Sequence, residues 1–452
     1  MKIVIIGGVA AGAKAAAKIK RLLPNSSVDI YTDDTHVSYS ACGLPYYIEG
    51  NFSDYRALLV RSVEEFKEAG IDVHLETKVE KILLAQQQVL VCSKLKAKLV
   101  PYDKLIITTG ARPYIPPILG YGNLDNVFVL RKIEDGIKIR EKMLNSKSAV
   151  IIGSGYIGLE LLEAFVKNGL KVNVIERNER IMSVFDDEIS DKLRERLENS
   201  NLGDFRFHTG EEVIEFVTKN STATGIMTAS GKEFKADMFV ICAGVKPNVE
   251  IAKDAGIELG PTGAIKVNKL MQTSVPNVFA AGDCVEERHL INRQPVWIPL
   301  GSTANKEGRC AAMNAAGVYS EFEGVLGSSV TRCLNTTMSM TGLTERDAQK
   351  FGYSTVSVII SKSDMVGYMP EADDITLKIV ADKITGLLLG GQAIGSVGAD
   401  KRINALASAL VGHLTVEEFR NNDLTYSPPY STTIDPLLNA MDILCSKIIK
   451  PC

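Results

Sequence analysis

The sequence predicts an α/β protein with two related parallel-sheet domains and a smaller α+β domain after them. A strand, a glycine-rich turn, a helix and a second strand follow one another at the N-terminus, and the same order returns from residue 149. After a segment rich in Gly and Ser at 321–329, strands and helices are mixed. A length of 452 residues agrees with about three domains of roughly 150 residues each.

The first unit begins with Lys2–Ile6, a short apolar run typical of a buried parallel strand. A glycine turn follows, with a helix predicted over 13–23 and a strand at Val28–Tyr31. This order places a pyrophosphate at the N-terminus of the helix. Val9 stands where the fingerprint has its middle glycine, and Thr32 where it has a ribose-binding acid. The predicted ligand-binding residues of this unit are Gly7, Gly8, Ala11, Gly12 and Asp33.

The second unit carries a complete fingerprint between strands at Ala149–Ile152 and Lys171–Ile175. Glu176 follows Gly158 by 18 residues, the place of an acid that binds the ribose 2′-hydroxyl. A carboxylate repels a 2′-phosphate, so NADH is favoured over NADPH, although Arg177 leaves room for both. Repetition of the unit argues against a turn that binds nothing. The further predicted contacts are Gly153, Gly155, Tyr156, Ile157, Gly158 and Glu160.

Three more strands end in turns that fit a large ligand. Lys104–Pro113 and Met238–Asn248 each contain a strand followed by a glycine turn, and Asp283 comes directly after another strand. An acid there can hydrogen-bond a ribityl hydroxyl, while Gly282 lets the ligand approach the backbone. Considered alone, Asp283 is equally well explained as a cap of the strand. The predicted contacts in these turns are Thr109, Gly110, Arg112, Gly244, Gly282 and Asp283.

Taken in this order, the motifs resemble the pyridine nucleotide–disulfide oxidoreductases over essentially the whole chain. The resemblance implies an FAD domain at 1–112 and 246–325, an NAD(P)H domain at 113–245 and a dimerisation domain at 326–452. Both nucleotide domains are then Rossmann-like, and the enzyme is a homodimer. The segment 299–305 is similar to the one that faces the flavin, which adds Ser302, Thr303 and Ala304 to the predicted FAD contacts.

One cysteine, Cys42, lies in an aromatic-rich turn beside Gly43 and Pro45. The N-terminal dipole of a helix beginning there can hold the thiol as thiolate. Family members with a redox disulfide carry a second cysteine where this chain has Tyr47. Cys42 is therefore predicted to act alone, as a mixed disulfide with a small thiol or as a sulfenic acid. A structural cysteine is the alternative.

The single-cysteine branch includes coenzyme A-disulfide reductases, NADH peroxidases and NADH oxidases. Peroxidases and water-forming oxidases carry a histidine where this chain has Ala10, and the segment 38–46 is similar to the reductases. Tyr368 and Tyr426 match tyrosines that the reductases extend across the dimer, although Met369 stands where members often have another tyrosine. A phenol there can protonate the leaving thiolate. Tyrosines packed beside prolines in a loop are the alternative.

Coenzyme A needs cations for its phosphates. By resemblance, the predicted substrate contacts are Lys18, Lys20, Arg21, Ser38, Arg61 and Asn305, with Ser38 also a predicted cofactor contact. Basic residues at the end of a helix are also favoured by its dipole without any ligand, so a solvated surface stays open for the first three.

The resemblance implies that NADH reduces FAD, and that FAD then reduces a mixed disulfide of Cys42 with coenzyme A. The small-molecule substrate is then coenzyme A disulfide or a related disulfide. The alternatives are an NADH oxidase or an NAD(P)H-dependent polysulfide or persulfide reductase on the same fold. The sequence shows no rhodanese-like extension after residue 452, so we expect no fused persulfide-handling domain. A redox sensor that binds both cofactors without turnover is a further alternative.

Composition excludes several other classes. The net charge is −3 and no long basic run occurs, so no nucleic-acid partner is expected. No segment approaches the roughly 20 apolar residues of a membrane span, so a cytoplasmic protein is expected. The eight cysteines form no C-x-x-C pair, which excludes the usual zinc and thioredoxin motifs, and no metal is predicted. Cys445 and Cys452 are interpreted as ordinary thiols, with a C-terminal redox pair as the alternative.

Overall fold

The computed structural model describes residues 1–94 and 96–448 of the chain. Its first domain is built on a five-stranded parallel sheet, and both faces of this sheet are covered by apolar residues. In spatial order the strands are Val278–Ala280, Lys104–Ile107, Lys2–Ile6, Ser27–Tyr31 and Ile71–His74. Val278–Ala280 comes from a later part of the chain than the other four strands of this sheet. Burial on both faces explains why the strands are continuously apolar.

A second parallel sheet repeats this arrangement in the middle of the chain. Its strands are Phe205–Thr209, Lys171–Glu176, Ser148–Ile152, Met238–Ile241 and Val127–Phe128. Two three-stranded antiparallel sheets accompany the parallel ones, formed by Lys78–Leu83, Gln88–Cys92 and Ala97–Pro101, and by Val213–Lys219, Thr222–Thr228 and Glu233–Lys235. A hairpin pairs Glu287–Arg288 with Pro295–Val296.

A short ribbon joins the two parallel-sheet units. Ala111–Pro113 pairs antiparallel with Val245–Pro247, so the chain leaves the first unit and returns to it at one place. The predicted boundaries at residues 112/113 and 245/246 fall within this ribbon, and the division into domains there remains a prediction.

The last part of the chain forms a five-stranded antiparallel sheet. Its strands are Ser329–Cys333, Thr336–Gly342, Leu388–Gly395, Asp374–Asp382 and Thr355–Ser363. The helices Ala399–Val411 and Pro436–Cys445 bury their apolar faces against it. Cys445 donates its thiol to Glu417 Oε2 at 2.8 Å, while Cys452 lies outside the described residues.

The remaining helices connect the strands. They are Ala10–Leu22, Leu44–Glu49, Val63–Glu68, Ile133–Leu144, Tyr156–Lys167, Asp187–Glu198, Glu250–Asp254, Gly301–Ala315, Glu345–Lys350 and Val416–Phe419, with 3₁₀ turns at Ala41–Gly43, Tyr55–Leu58 and Leu84–Gln86. The first helix begins at Ala10, three residues before the predicted start. In the described part of the chain no helix combines the length and apolarity needed to cross a membrane.

Candidate active site

One cleft of about 2430 Å³ collects residues from all three predicted domains. Sites for a single small ligand commonly occupy roughly 300–1,000 Å³, so this cleft has room for several ligands. The predicted site residues that line it are Gly7, Gly8, Ala11, Arg21, Asp33, Ser38, Cys42, Arg61, Thr109, Gly110, Arg112, Gly153, Gly155, Tyr156, Ile157, Glu160, Glu176, Gly244, Gly282, Asp283, Ser302, Ala304 and Asn305. The sequence motifs therefore converge on one site.

The first glycine of each fingerprint makes the same turn. Gly7 has φ of +100° and Gly153 has φ of +107°, a conformation that side chains disfavour. A Cβ on Gly7 would lie 2.1 Å from the Thr108 carbonyl oxygen, and one on Gly153 would lie 2.4 Å from that of Cys242. Each turn is thus held against the neighbouring strand of its own sheet.

The third glycines support the cleft without lining it. A Cβ on Gly12 would lie 2.0 Å from the carbonyl oxygen of Gly7, and one on Gly158 would lie 2.2 Å from that of Gly153. Both positions therefore serve the contact between helix and strand. Thr303 is also buried and does not line the cleft.

Three helices of 13, 12 and 15 residues begin at the cleft: Ala10–Leu22, Tyr156–Lys167 and Gly301–Ala315. No side chain caps any of their N-termini. The first N–H groups of a helix lack partners within it and attract anions. Gly155 adds open space, since a Cβ there would meet no protein atom within 4 Å. The two fingerprint helices fit the pyrophosphates of FAD and a nicotinamide dinucleotide.

Glu176 is buried at the end of its strand and fixes the second glycine turn. Its Oε2 accepts hydrogen bonds from the Ser154 N–H at 2.9 Å and the Ser154 hydroxyl at 2.7 Å. Its Oε1 accepts from the Asn178 N–H at 2.8 Å. The neighbouring Arg177 is exposed and lines the same cleft. A negatively charged and a positively charged side chain are therefore adjacent in sequence where the ribose of a nucleotide would lie.

Asp283 is held by residues that the sequence motifs did not reveal. Its Oδ2 lies 3.2 Å from Arg131 Nη2, and its carbonyl oxygen accepts from Trp297 Nε1 at 2.9 Å. Arg131 is 152 positions away in sequence and belongs to no recognised motif. Asp33 extends toward Lys132, with 3.6 Å between Oδ1 and Nζ.

Thr109 and Arg112 brace the ribbon between the two parallel-sheet units. The Thr109 hydroxyl donates to the Asn248 carbonyl oxygen at 2.6 Å, and Asn248 Nδ2 donates back to the Thr109 carbonyl oxygen at 2.9 Å. Arg112 Nη1 donates to Asn248 Oδ1 at 2.9 Å and pairs with Glu250. Both predicted contacts therefore also have structural partners.

Cys42 lies in the 3₁₀ turn Ala41–Gly43 and exposes surface to the cleft. The helix Gly301–Ala315 begins close to it, since a Cβ on Gly301 would lie 3.9 Å from Sγ. The first residue of this longer helix therefore lies close to the sulfur, and the six-residue helix Leu44–Glu49 begins two residues after Cys42. Tyr47, in place of a second cysteine, is buried.

The surroundings of Cys42 do not by themselves favour the thiolate. Desolvation in the protein-walled cleft raises the pKa of the thiol, and Glu160 and Asp283 raise it further. Arg131 acts in the opposite direction. This differs from the expectation that a local helix dipole holds the thiolate, because that expectation left out the carboxylates placed by distant segments.

Glu160 and Tyr156 connect the second parallel-sheet unit to the strand Ser329–Cys333. Glu160 Oε1 accepts from the Thr331 hydroxyl at 2.8 Å, and burial raises the pKa of Glu160. The Tyr156 hydroxyl lies 2.6 Å from the Ser329 hydroxyl. Both side chains also line the cleft.

The predicted basic residues divide into two groups. Arg21 and Arg61 line the cleft, with the Arg61 guanidinium 5.1 Å from the centre of the Phe66 ring. Lys18 and Lys20 do not line it, and Lys20 Nζ donates to the Ser26 carbonyl oxygen at 2.7 Å. Lys14, which the sequence analysis did not single out, lines the cleft on the same helix.

Tyr368 and Tyr426 lie away from the cleft of their own chain. Tyr368 is 74% exposed and Tyr426 is 48% exposed, and neither lines the cleft. A role for either tyrosine at Cys42 stays a prediction.

Comparison with known families agrees with this geometry. Residues 1–308 match the pyridine nucleotide-disulphide oxidoreductase family, and residues 331–437 match the dimerisation domain of that family. The chain belongs to the pyridine nucleotide-disulphide oxidoreductases. It is thus an oxidoreductase of a family that implies FAD and NAD(P)H, as the motifs predicted.

Relatives with whole-chain similarity have related activities in their names. The NAD(P)H sulfur oxidoreductase (CoA-dependent) of Pyrococcus abyssi is 40% identical over 96% of both chains. The coenzyme A disulfide reductase of Staphylococcus haemolyticus is 29% identical, covering 95% of this chain and 96% of its own. The structure of an NAD-dependent persulfide reductase from A. fulgidus is 34% identical with a TM-score of 0.95, covering 99% of this chain and 83% of its own.

Proposed function

We propose that this protein is a homodimer that reduces coenzyme A disulfide, or a mixed disulfide of coenzyme A, with NAD(P)H and FAD. The observation that carries the proposal is the position of Cys42: it lines the cleft at which both glycine-turn helices begin, and buried Tyr47 replaces a resolving cysteine. Without a cysteine at position 47, a disulfide of Cys42 would form with a substrate sulfur. The dimerisation-domain match supports the homodimer.

The chemistry balances with one reactive sulfur. Cys42 Sγ attacks the disulfide, so one S–S bond breaks, a Cys42–S–S–CoA bond forms, and one coenzyme A thiolate leaves and takes a proton. Two electrons and a proton then return the mixed disulfide to Cys42 and a second thiol. FAD would carry these electrons from the nicotinamide to the sulfur. The net reaction consumes NAD(P)H, a proton and one disulfide, and yields NAD(P)⁺ and two thiols.

NADH is the preferred donor in this proposal. Glu176 is buried, with one carboxylate oxygen engaged by Ser154 of the glycine turn and the other by the Asn178 N–H, so its charge stays near the ribose position. A fixed negative charge there repels a 2′-phosphate. Exposed Arg177 supports residual use of NADPH.

Arg21 and Arg61 are the proposed partners of the coenzyme A phosphates. Both line the cleft, as does Lys14. Guanidinium groups bind phosphate oxygens through two parallel hydrogen bonds. Lys18 and Lys20, which do not line the cleft, have weaker support for this role.

A second candidate is coenzyme A-dependent reduction of sulfur or persulfides. The 40% identity to the Pyrococcus abyssi NAD(P)H sulfur oxidoreductase (CoA-dependent) favours it. Cys42 Sγ would attack the inner sulfur of a coenzyme A persulfide, so that its S–S bond breaks, a Cys42–S–S–CoA bond forms and hydrosulfide leaves. The mixed disulfide would then be reduced by two electrons as above. The oxidase alternative has less support, because Ala10 cannot act as the acid–base that a histidine supplies.

Mass spectrometry of the protein purified without reductant tests the proposal. We expect an adduct of coenzyme A mass on Cys42, and a sulfenic acid instead would favour the oxidase.

NADH consumption should then be compared with coenzyme A disulfide, a coenzyme A persulfide and oxygen as acceptors. Cys42→Ser should abolish reduction of the first two while NADH still bleaches the flavin. Cys242→Ser is the matched control, a thiol of the same cleft whose pKa burial raises to about 12. Full reductase activity in Cys42→Ser would contradict the proposal.

A further inference from the structure

Glu307 is a fully buried carboxyl group behind the turn that carries Asp283. It lies on the helix Gly301–Ala315 with no exposed surface. Its Oε2 accepts the Gly282 N–H at 2.7 Å, while Oε1 has no hydrogen-bond partner. The Gly282–Asp283 turn lines the cleft where FAD would bind. An unpartnered carboxylate oxygen at this depth would be costly if ionised.

Glu287 is a second buried carboxyl group close to the first. It is 5% exposed, and its Oε2 accepts the Ile298 N–H at 3.2 Å. The charge of Asp283 raises the pKa of both acids, and the charge of Glu287 raises the pKa of Glu307.

No cation of the described residues forms an ion pair with either acid. The nearby Arg131 is directed at Asp283 instead, and Glu286, which also faces Glu287, accepts hydrogen bonds from Thr262. Burial and neighbouring carboxylates both disfavour the ionised form. Burial, with Asp283 and Glu286, raises the pKa of Glu287 to about 8, and burial with Glu287 raises the pKa of Glu307 well above its ordinary value.

We propose that Glu307 and Glu287 form a proton-binding pair that makes the electron affinity of the FAD site depend on pH. At low pH both carboxyl groups are neutral. As the pH rises the pair ionises, and its negative charge opposes the charge that electrons add to the flavin. When the flavin is reduced in this pH range, the ionised pair would take up a proton from solvent and become neutral. This inference requires bound FAD but not any particular disulfide substrate.

The flavin midpoint potential of the holoenzyme, measured as a function of pH against redox dyes, tests the pair. Glu307→Gln keeps an oxygen for the Gly282 N–H but cannot ionise. In the wild type we expect the potential to fall more steeply with pH than in Glu307→Gln. One coupled proton changes the equilibrium constant tenfold per pH unit, which is about 30 mV for a two-electron couple. Glu212→Gln, which removes a carboxylate of the cleft that acts on neither acid, is the matched control and should retain the wild-type slope. Equal slopes in wild type and Glu307→Gln would overturn the proposal.

Infrared difference spectroscopy gives a test that does not depend on the variant. Reduction of the wild-type flavin should shift or create the C=O band of a protonated carboxylic acid. If Glu307→Gln fails to retain FAD, Glu287→Gln replaces it in the measurement of the midpoint potential. A reduced-minus-oxidised spectrum of the wild type with no carboxylic acid band would also overturn the proposal.

Discussion

At the residue scale, the reactivity of Cys42 is set by charges from distant parts of the chain. Desolvation raises the pKa of its thiol most, followed by Glu160 and Asp283, while Arg131 lowers it. The thiolate, rather than the thiol, attacks disulfides. We therefore expect the free thiol to become more reactive as the pH rises toward its raised pKa. A cation or an electron acceptor bound beside the sulfur would lower this pKa in part.

Glu160→Gln should make Cys42 more reactive. Removing the carboxylate lowers the pKa of the thiol, so the pH profile of alkylation moves to lower pH. The rate at neutral pH should rise several-fold, since one pKa unit corresponds to a tenfold change in thiolate. Iodoacetamide labelling of the reduced holoenzyme, followed by peptide mass spectrometry, measures it. Glu212→Gln removes another carboxylate of the cleft that does not act on this thiol and serves as control. An unchanged profile in Glu160→Gln would refute the assignment.

At the scale of single elements, some glycines of the two fingerprints are needed for folding and others for ligand binding. The first and third glycines press against backbone oxygens, whereas Gly155 faces open space. Gly158 and Gly155 lie three positions apart, and substitution by alanine should lower the stability at the first and the affinity for NADH at the second.

Gly158→Ala should destabilise the protein, because the new Cβ would lie 2.2 Å from the Gly153 carbonyl oxygen. The expected cost is about 1–3 kcal/mol, typical of overpacking. Gly155→Ala has the allowed φ of −76° and should leave the thermal midpoint unchanged. It should weaken NADH binding about tenfold, or ~1.4 kcal/mol, through contact with the pyrophosphate. Thermal unfolding and the concentration dependence of flavin reduction measure the two effects. Equal loss of stability in both variants would show that Gly155 is also structural.

A buried ionic network joins the second parallel-sheet unit to the last domain. Asp186 accepts the Glu345 N–H at 3.0 Å and Gln392 Nε2 at 2.6 Å, and lies 3.2 Å from Lys378 Nζ. Desolvation acts to raise the pKa of Asp186, but the Glu345 N–H and Lys378 outweigh it and the pKa is lowered. Lys378 is itself buried.

Asp186→Asn should destabilise the fold by about 1–3 kcal/mol at neutral pH, since it removes one of the three carboxylates that the structure describes around the buried Lys378 ammonium and leaves only Glu188 and Glu345. A lowered pKa contributes stability above the ordinary carboxyl value near 3.9 that is lost as pH falls through the folded value. The difference from wild type should therefore shrink below about pH 4. Thermal midpoints across pH measure it. Glu188→Gln removes an exposed partner of Lys378 and should cost less than about 1 kcal/mol. A difference that is independent of pH would contradict the assignment.

At the scale of the whole molecule, a single chain leaves its site incomplete under the proposed function. Tyr368 and Tyr426 are exposed and lie outside the cleft of their own chain. In a symmetric dimer each chain gives the other the same groups. The match of residues 331–437 to a dimerisation domain agrees with this arrangement.

Mixed dimers test whether the tyrosines act across the interface. One chain carries Cys42→Ser, and the other carries Tyr368→Phe with Tyr426→Phe. If the tyrosines act in trans, one of the two sites combines Cys42 with both phenols. The isolated mixed dimer should then keep about half of the wild-type disulfide reductase activity. Both parent homodimers should be strongly impaired. An inactive mixed dimer would place the tyrosines at the cysteine of their own chain.

Much of the fold followed from local patterns. The strands Lys2–Ile6 and Ser148–Ile152 were predicted within one residue at each end, because burial on both faces gives continuous apolar runs. The helix at Ala10 begins before the predicted residue 13, since the turn ends at Gly8 and Val9 precedes the first helical residue. Element ends of this kind depend on local hydrogen bonds rather than on periodicity.

The sequence by itself determined the α/β class, the repeated glycine turns and a cysteine without a partner at position 47. These features are local, because a turn or a strand depends on neighbouring residues. Only the tertiary structure decided that Arg131 holds Asp283, that Lys20 is engaged by Ser26, and that Glu307 is buried. Contacts with remote segments determine the surroundings of Arg131 and Glu307. The path of the chain after the first helix determines those of Lys20. The electrostatics of Cys42 is likewise a property of the folded cleft, since burial and distant charges, which no sequence motif records, set its pKa.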